Sequence, residues 1–349
     1  MALSPEDVAA PPRVALLFTR YPVATETFLQ REVEILRQQP GHWEVCALWP
    51  PMGRSSGIQP DDQMRIQELL LLFWWIPYWL LRKPRAMRRI AGSLLEARAP
   101  NAVNFLENLL GLGYGILRAR KAAASHTHLH AVWASAPAAA AWALHQLTGI
   151  PYSLAGHAYD LYEHGGDGWL PLKLESARMV RTSTLDGQRR WIRLGADPGM
   201  VRVIRRGLPE MPPFDPEWSP AVPFRILSVG RMVEKMGTCQ LLEILSRLHQ
   251  TGFPFEATLI GDGPLAPRIR ERSIALGLKD QVRFTGALPY SEVEDWYRWA
   301  DGFVFAGRVA RSGDRAGFPN AIGEAMAWGL PVVAAPVGAV GEGVRHGET

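Results

Sequence analysis

Short apolar runs of strand length punctuate this chain, separated by longer segments whose apolar residues recur at helical spacing or without any period. Val14 to Phe18, Val45 to Leu48, His130 to Trp133, Tyr152 to Ala155, Met179 to Ser183 and Val201 to Ile204 form a first series. Ile226 to Val229, Thr258 to Ile260, Val282 to Phe284, Phe303 to Phe305 and Val332 to Ala335 form a second. Such alternation predicts parallel sheets covered by helices, an α/β fold. Between the two series, prolines at 209, 212, 213, 216, 220 and 223 exclude both helix interior and central strand. The chain therefore divides into a domain at 1–208, a proline-rich linker at 209–223 and a domain at 224–349. With 349 residues it has the length for two substantial cores.

One segment departs from this pattern. Leu69 to Leu81 reads L-L-L-L-F-W-W-I-P-Y-W-L-L, apolar or aromatic throughout apart from Pro77, and Arg82, Lys83, Arg85, Arg88 and Arg89 follow it. A bilayer-spanning helix needs about 20 apolar residues, so this proline-interrupted run does not span. Tryptophans beside arginines are the pattern of a surface resting at lipid headgroups, which predicts a membrane-surface contact over Leu69 to Arg89. A helix packed inside the first domain explains the same residues, and both readings hold if one face is buried.

Composition adds bounds. Hydrophobic residues make up 47% and charged residues 21%, as in an ordinary globular protein. A net charge of +4 is too weakly basic to argue for nucleic acid. Cys46 and Cys239 fall in different domains and are expected to be free and buried, as suits a reducing cytoplasm. The opening M-A-L-S-P-E-D-V-A-A-P-P has no basic start and no apolar stretch of signal-peptide length. The expected location is cytoplasmic, peripheral on the inner face of the plasma membrane if Leu69 to Arg89 docks there.

Candidate chemistry concentrates between Arg225 and Glu342. In R-I-L-S-V-G-R-M-V-E-K-M-G an apolar run ends at Gly230, and Arg231 and Lys235 follow before a helical segment at Leu241, Leu245 and Leu248. In G-F-P-N-A-I-G-E-A-M-A-W-G-L-P-V-V-A, Glu324 is expected in the first turn of a helix between strands. In a parallel sheet both groups come at the carboxyl edge, where such folds bind ligands. An arginine, a lysine and a carboxylate able to accept from a ribose suit a nucleoside diphosphate. A solvated basic pair, and an acid favoured in a helix's first turn by the macrodipole, are the plainer explanations.

This constellation resembles the family 4 retaining glycosyltransferases, and among them the exopolysaccharide and colanic-acid branch. The likeness continues in R-V-A-L-L-F-T-R-Y-P-V-A-T-E-T-F-L-Q-R-E-V-E-I-L-R at Arg13 to Arg37, H-L-H-A-V-W-A-S-A-P, G-I-P-Y-S-L-A-G-H-A-Y-D, V-R-V-I-R-R-G-L-P and L-I-G-D-G-P-L. It implies two Rossmann-like domains facing across a cleft, the GT-B fold, with the nucleotide-sugar held by the second. It also implies that further closing elements belong after H-G-E-T, so the second domain is expected to be incomplete, either because the copy is truncated or because those elements are missing here. The implied reaction moves a sugar from a nucleotide-sugar to a lipid-linked or oligosaccharide acceptor with retention of configuration, without a cofactor or metal.

Carried over residue by residue, the resemblance gives Arg231 and Lys235 the leaving diphosphate, as in G-R-x-x-x-K-x-G. Glu324 takes the ribose, Phe318, Pro319 and Asn320 belong to the same nucleotide loop, and Gly230, Gly261 and Gly263 approach the nucleotide by backbone. His157 contacts the donor sugar or transferring oxygen, and Asp160 orients its loop. Thr25 and Glu26 contact acceptor or phosphate, although Thr27 with Gln30 also fits a capping box that would make this a plain helix start. The chain departs from the pattern at Ala316, where the family has an acid that holds donor-sugar hydroxyls; Asp314 stands two residues away.

Other matches are weaker. His126, His128 and His130 alternate as if on one strand face, which invites a metal reading, but the resembled family has a similar run without one. Gly53 to Gly57 spells G-x-S-x-G in a proline- and glycine-rich loop lacking the strand-to-helix elbow of a hydrolase. Gly261 to Ala266 imitates a dinucleotide fingerprint and leaves a nicotinamide oxidoreductase as a distant reading. Ala316, with the short stretch after the last strand, motivates a nearer rival, a non-catalytic homologue that binds sugar nucleotides.

Overall fold

Parallel pairing organises both halves of the chain. The computed structural model describes residues 11–23, 26–50, 58–96, 98–208, 211–212 and 219–349. Met1–Thr182 with Gly187–Ile204 form one compact unit, and Ser183–Asp186 with Arg205–Thr349 form another, so the division falls just ahead of the proline-rich stretch.

In chain order the first unit contains β1 (Arg13–Phe18), α1 (Thr27–Arg37), β2 (His42–Ala47), β3 (Asp62–Gln63), a 3-10 turn at Ile66–Leu71, α2 (Leu72–Arg82), α3 (Pro84–Glu96) and α4 (Ala102–Ser125). It continues with β4 (His128–Ala131), α5 (Ala136–Thr148), β5 (Tyr152–Ala155), α6 (Tyr159–Tyr162), α7 (Leu170–Leu174), β6 (Met179–Thr182), α8 (Leu185–Arg193), whose first two residues are assigned to the other unit, and β7 (Val201–Val203). Its seven strands lie in the order β3-β2-β1-β4-β5-β6-β7. The second unit contains β8 (Phe224–Val229), α9 (Thr238–Gln250), β9 (Phe255–Ile260), α10 (Ala266–Ala275), β10 (Val282–Gly286), α11 (Tyr290–Trp299), β11 (Gly302–Phe305), α12 (Asn320–Ala327) and β12 (Val332–Ala334). Its five strands lie in the order β10-β9-β8-β11-β12. Every strand pair is parallel. Each sheet therefore reverses its winding direction once, beside β1 in the first unit and beside β8 in the second, and leaves a crevice at the carboxyl ends there.

The strand expectations hold to within three residues, with one further strand and one boundary that matters for the site. The edge strand β3 is too short to leave an apolar run. β4 begins at His128, two residues ahead of the expected start, so Val132 and Trp133 lie in the loop beyond it.

Small residues close the first core. Ala138, Ala139, Ala140, Ala141 and Ala143 of α5 are all buried, and a Cβ added at Gly115 of α4 would lie 2.6 Å from that of Ala143. Only helices with nothing larger at this seam approach so closely. Cys46 is buried, whereas Cys239, on the first turn of α9, is only partly covered, contrary to expectation. Between β4 and α7 the chain is tied by a buried ion pair: Lys173 Nζ donates to Asp167 Oδ1 (2.9 Å), Ala134 O (2.7 Å) and Ser135 O (3.0 Å). Asn104 and Asn108 donate to the other Asp167 oxygen at 2.8 and 2.7 Å. Burial pulls the Lys173 ammonium below its usual range against the attraction of Asp167.

The aromatic segment is a helix with two faces. Pro77 sits inside α2 instead of interrupting it; packing of Trp75, Tyr78 and Trp79 on the core outweighs the roughly 3 kcal/mol that an internal proline costs. Trp79 is buried and its Nε1 donates to Ile116 O at 3.0 Å, while Phe73, Trp74 and Leu81 are exposed. Among the described residues no helix is long and apolar enough to cross a membrane.

Removing the charge of Asp167 strands a buried ammonium. Asp167→Asn should lower stability by about 3–5 kcal/mol, read from the urea midpoint. Trp74→Ser on the exposed face should change it by no more than about 0.5 kcal/mol.

Candidate functional site

The loop after β8 carries the two cations. Gly230 N–H donates to Ile260 O (2.9 Å), Met232 N–H to Asp262 O (2.8 Å) and Leu265 N–H back to Met232 O (3.1 Å), so the loops after β8 and β9 lie backbone to backbone. Gly261, at φ +137°, is required there, because a Cβ would stand 2.0 Å from Gly230 O. At the other end of the β8 loop, Gly237 adopts φ +69° and a Cβ would come 1.7 Å from Ala306 O, just past β11. The loop is thus clamped on both sides, and its side chains project from a fixed frame.

Arg231 is exposed and forms no ion pair among the described residues. Lys235 is buried, and its Nζ stands 2.7 Å from Asp314 Oδ2 on the loop after β11. Asp314 Oδ1 is buried without a hydrogen-bond partner. The same loop is held by Arg308 N–H donating to Lys235 O (3.0 Å) and Ala310 N–H to Asp314 O (2.8 Å). The structure therefore brings Lys235 and Asp314 together. Gly261 and Gly263 are less open than expected: their amides already donate to Gly286 O (2.8 Å) and Asp262 Oδ1 (2.7 Å).

Glu324 stands in the second turn of α12, not the first, because the helix begins at Asn320 with Pro319 as its N-cap residue. At about 1.5 Å per residue it sits roughly 6 Å down the axis, so macrodipole preference for a first-turn acid does not account for it. Its buried Oε2 accepts from the Tyr297 hydroxyl on α11 at 2.9 Å. Phe318 packs on the unit's core ahead of Pro319 and Asn320. Ala316 is buried in the same apolar cluster.

In the first unit, His157 follows β5 and is boxed by aromatic rings. It lies edge-on to Trp133 (5.3 Å, 86°) and to Phe28 (6.2 Å, 85°). Asp160 Oδ1 accepts from the amides of His157 (3.1 Å) and Ala158 (2.9 Å), and Oδ2 from Ala134 (3.1 Å). One carboxylate thus orients the His157 loop and fastens it to the loop after β4; burial raises its pKa. Trp133 also packs on Tyr159 (5.3 Å), whose hydroxyl meets Ser135 Oγ at 3.2 Å. Trp133 and Tyr159 are not among the residues that the sequence singles out, although both lie inside runs that point to this loop cluster.

Other expectations resolve differently. Glu26 is the N-cap residue of α1, Thr27 its first helical residue, and the Gln30 side chain donates to Val23 O at 3.0 Å, so no capping box forms at Thr27. Thr25 and the Gly53 to Gly57 match lie outside the described residues. His126 leaves the strand face altogether and meets Glu44 at 2.8 Å, while His128 and His130 converge on Ser153 Oγ at 2.9 and 2.7 Å. Burial lowers the His130 imidazole to about 3, which keeps it neutral. Among the described residues, no cluster of three His, Cys, Asp or Glu is arranged for a metal ion.

Comparison with known proteins agrees with the fold. Residues 223–349 match the family model "Glycosyl transferases group 1". Over 161 residues the chain is 35% identical to the amylovoran biosynthesis glycosyltransferase AmsK of Erwinia amylovora, covering 46% of this chain and 39% of that protein. Over 143 residues it is 34% identical to the putative colanic acid biosynthesis glycosyltransferase WcaL of Escherichia coli (strain K12), covering 40% and 35%. The chain thus spans well under half the length of these curated relatives. In three dimensions it resembles HepE of Anabaena, solved with UDP-glucose, at a TM-score of 0.62 and 16% identity over 95% of this chain and 83% of that one. The fold is accordingly of the GT-B class, with two Rossmann-like units.

The Lys235–Asp314 contact should be measurable without any ligand. A double-mutant cycle with Lys235→Met and Asp314→Asn, read by urea unfolding, should give a coupling of about 1–3 kcal/mol, the scale of a charge-assisted hydrogen bond. A value near zero would make the contact incidental.

Proposed function

We propose that this chain transfers a sugar from a nucleotide-sugar to a saccharide acceptor in polysaccharide biosynthesis, with retention of anomeric configuration. The observation that carries the proposal is the cation pair after β8: Arg231 exposed without an ion pair among the described residues, Lys235 buried against Asp314. When the bond between the anomeric carbon and the diphosphate breaks, the electron pair leaves with the phosphate. Arg231 and Lys235 neutralise that developing charge, so the proposal requires no metal. The acceptor oxygen bonds to the same face of the anomeric carbon, and its proton passes to the departing phosphate oxygen. Glu324 accepts from the nucleotide ribose, and His157, held by Asp160, positions the sugar or transferring oxygen.

Asp314 enters this scheme twice. Its Oδ2 holds Lys235 until a diphosphate competes for the ammonium, and its Oδ1, buried without a hydrogen-bond partner, can accept from a donor-sugar hydroxyl in place of the acid missing at 316. The buried apolar surroundings of Ala316 favour one other reading, a homologue that binds nucleotide-sugars without turning them over. The acceptor is proposed to be lipid-linked, and the exposed Phe73, Trp74 and Leu81 beside Arg82, Lys83 and Arg85 support peripheral contact with a membrane surface.

Lys235→Ala should weaken UDP or GDP binding by about 1.5–3 kcal/mol in calorimetry; unchanged affinity in the folded variant would sink the diphosphate assignment. Glu324→Gln should impair nucleotide binding itself, and a loss confined to turnover would remove its ribose role. Turnover across a panel of nucleotide-sugars with a lipid-linked acceptor separates the two readings, since the binding-only homologue retains affinity and yields no product.

A further inference from the structure

The first unit contains a cavity of about 1040 Å³ between α2, α3 and α4, and none of the chemistry above uses most of it. Its long wall is apolar, built from Leu69 and Leu72, from Met87 and Ile90 of α3, and from Leu112 and Ile116 of α4. One end reaches the carboxyl edge of the sheet, where Thr19, Arg20, Glu26, Glu107, Trp133 and Tyr159 line it. Elsewhere the wall comes to the surface: Ile76, Leu94, Val103, Leu106 and Leu109 line the cavity and are also exposed, Val103 by 67% and Leu106 by 60%. This opening includes Ile76 of α2 and Leu94 of α3.

We propose that this cavity holds the single hydrocarbon chain of a glycolipid acceptor, with the first sugar of its head at the polar end. The inference deepens the proposed function and rests on its saccharide acceptor. Three features favour this occupant. An apolar volume of this size set between three helices matches a flexible chain better than a flat bilayer surface. Trp133 and Tyr159 give the polar end an aromatic wall against which a pyranose can lie, and the Glu26 and Glu107 carboxylates can accept from its hydroxyls. Thr19 Oγ1, buried at the same end, has no hydrogen-bond partner. Desolvation raises the Glu107 carboxyl to about 6, as expected for an acid facing apolar space, with Asp167 and Asp160 adding to the shift against Lys173. Two acids against one arginine also disfavour a bare fatty-acid carboxylate.

Gly113 supplies the probe. Of the α4 glycines, Gly111 and Gly115 are pressed against α5, but a Cβ at Gly113 meets only Leu72 and Leu69 side chains, at 3.6 and 3.8 Å, and the residue lines the cavity. Gly113→Leu therefore fills the cavity without a backbone clash, and Ala91→Phe does so from α3. Binding of soluble alkyl glucosides of increasing chain length, below micelle formation, is measured on the full chain by calorimetry. Affinity should rise about four-fold per methylene, the burial of one CH₂ expressed as a binding ratio. In a folded Gly113→Leu or Ala91→Phe variant the dependence on chain length should disappear. Phe73→Ser with Trp74→Ser and Leu81→Ser should leave it intact.

The proposal is overturned if affinity does not depend on chain length, or if neither folded cavity variant changes that dependence. It is equally overturned if the dependence vanishes only in the α2 surface variant, which would make the patch a bilayer contact. Laurate should bind at least ten-fold more weakly than dodecyl glucoside, and equal or tighter binding would make this a fatty-acid site instead. Because binding is read without turnover, these failures stay distinct from loss of UDP binding in Lys235→Ala, which tests the transferase reading by itself.

Discussion

The second unit depends on β8 being flanked by parallel partners on both sides. Its register with β9 runs from Phe224 through Val229, and β11 pairs along the opposite edge. A strand held in this way cannot curl back locally; its chain must leave the sheet at the carboxyl end, into the crevice where the winding reverses. Gly261 pressed on Gly230, and Gly237 pressed on Ala306, then remove what freedom the exit loop had. What remains variable between the clamps is a short run of side chains, which is why Arg231 and Lys235 can occupy defined positions in a loop. The first unit repeats the logic with β1 between β2 and β4, and there Asp160 and Lys173 do the fastening that close glycine contacts do in the second.

Much of this was legible because strands in parallel sheets are buried on both faces and read as apolar runs. β5 and the exits of β8 and β9 were placed from that signal alone. The errors arose where local patterns compete with long-range partners. His126 shares the spacing of His128 and His130 but pairs with Glu44, a contact 82 residues away in sequence that no periodicity records. The Thr27 and Gln30 pattern fits a cap, yet the helix begins one residue earlier and Gln30 finds Val23 O. Glu324 looked like a first-turn acid because the helix start at Asn320 depends on Pro319, whose backbone is extended before the turn. The Asp314 contact with Lys235 joins two loops 79 positions apart (314 − 235) and was invisible to any window.

The aromatic segment shows the same limit from another side. Composition identified an unusual surface but could not divide its tryptophans, since three of them lie within six residues on a helix whose faces differ. Trp79 is a core residue with its indole N–H satisfied by Ile116 O. Trp74, five positions earlier, points away from that core and is exposed. Helical geometry separates them by about 500° of rotation, at 3.6 residues per turn, and so places them on well-separated faces. The buried and surface-contact readings of this segment are therefore compatible, each carried by different residues.

Ala316 is where sequence pattern and packing speak most directly to one another. The resembled motif has an acid at this position, and the chain has a methyl group, buried among side chains that include Phe305 and Val340. An apolar residue suits these surroundings; a carboxylate in them must either reach a polar partner or carry the desolvation of a buried charge. Two residues before it, Asp314 resolves that requirement by meeting a buried ammonium. The loop has thus kept one acid where a cation can balance it and has none where the core would surround it. Negative charge on this loop is therefore coupled to Lys235, and whatever binds Lys235 also changes what Asp314 is free to hold.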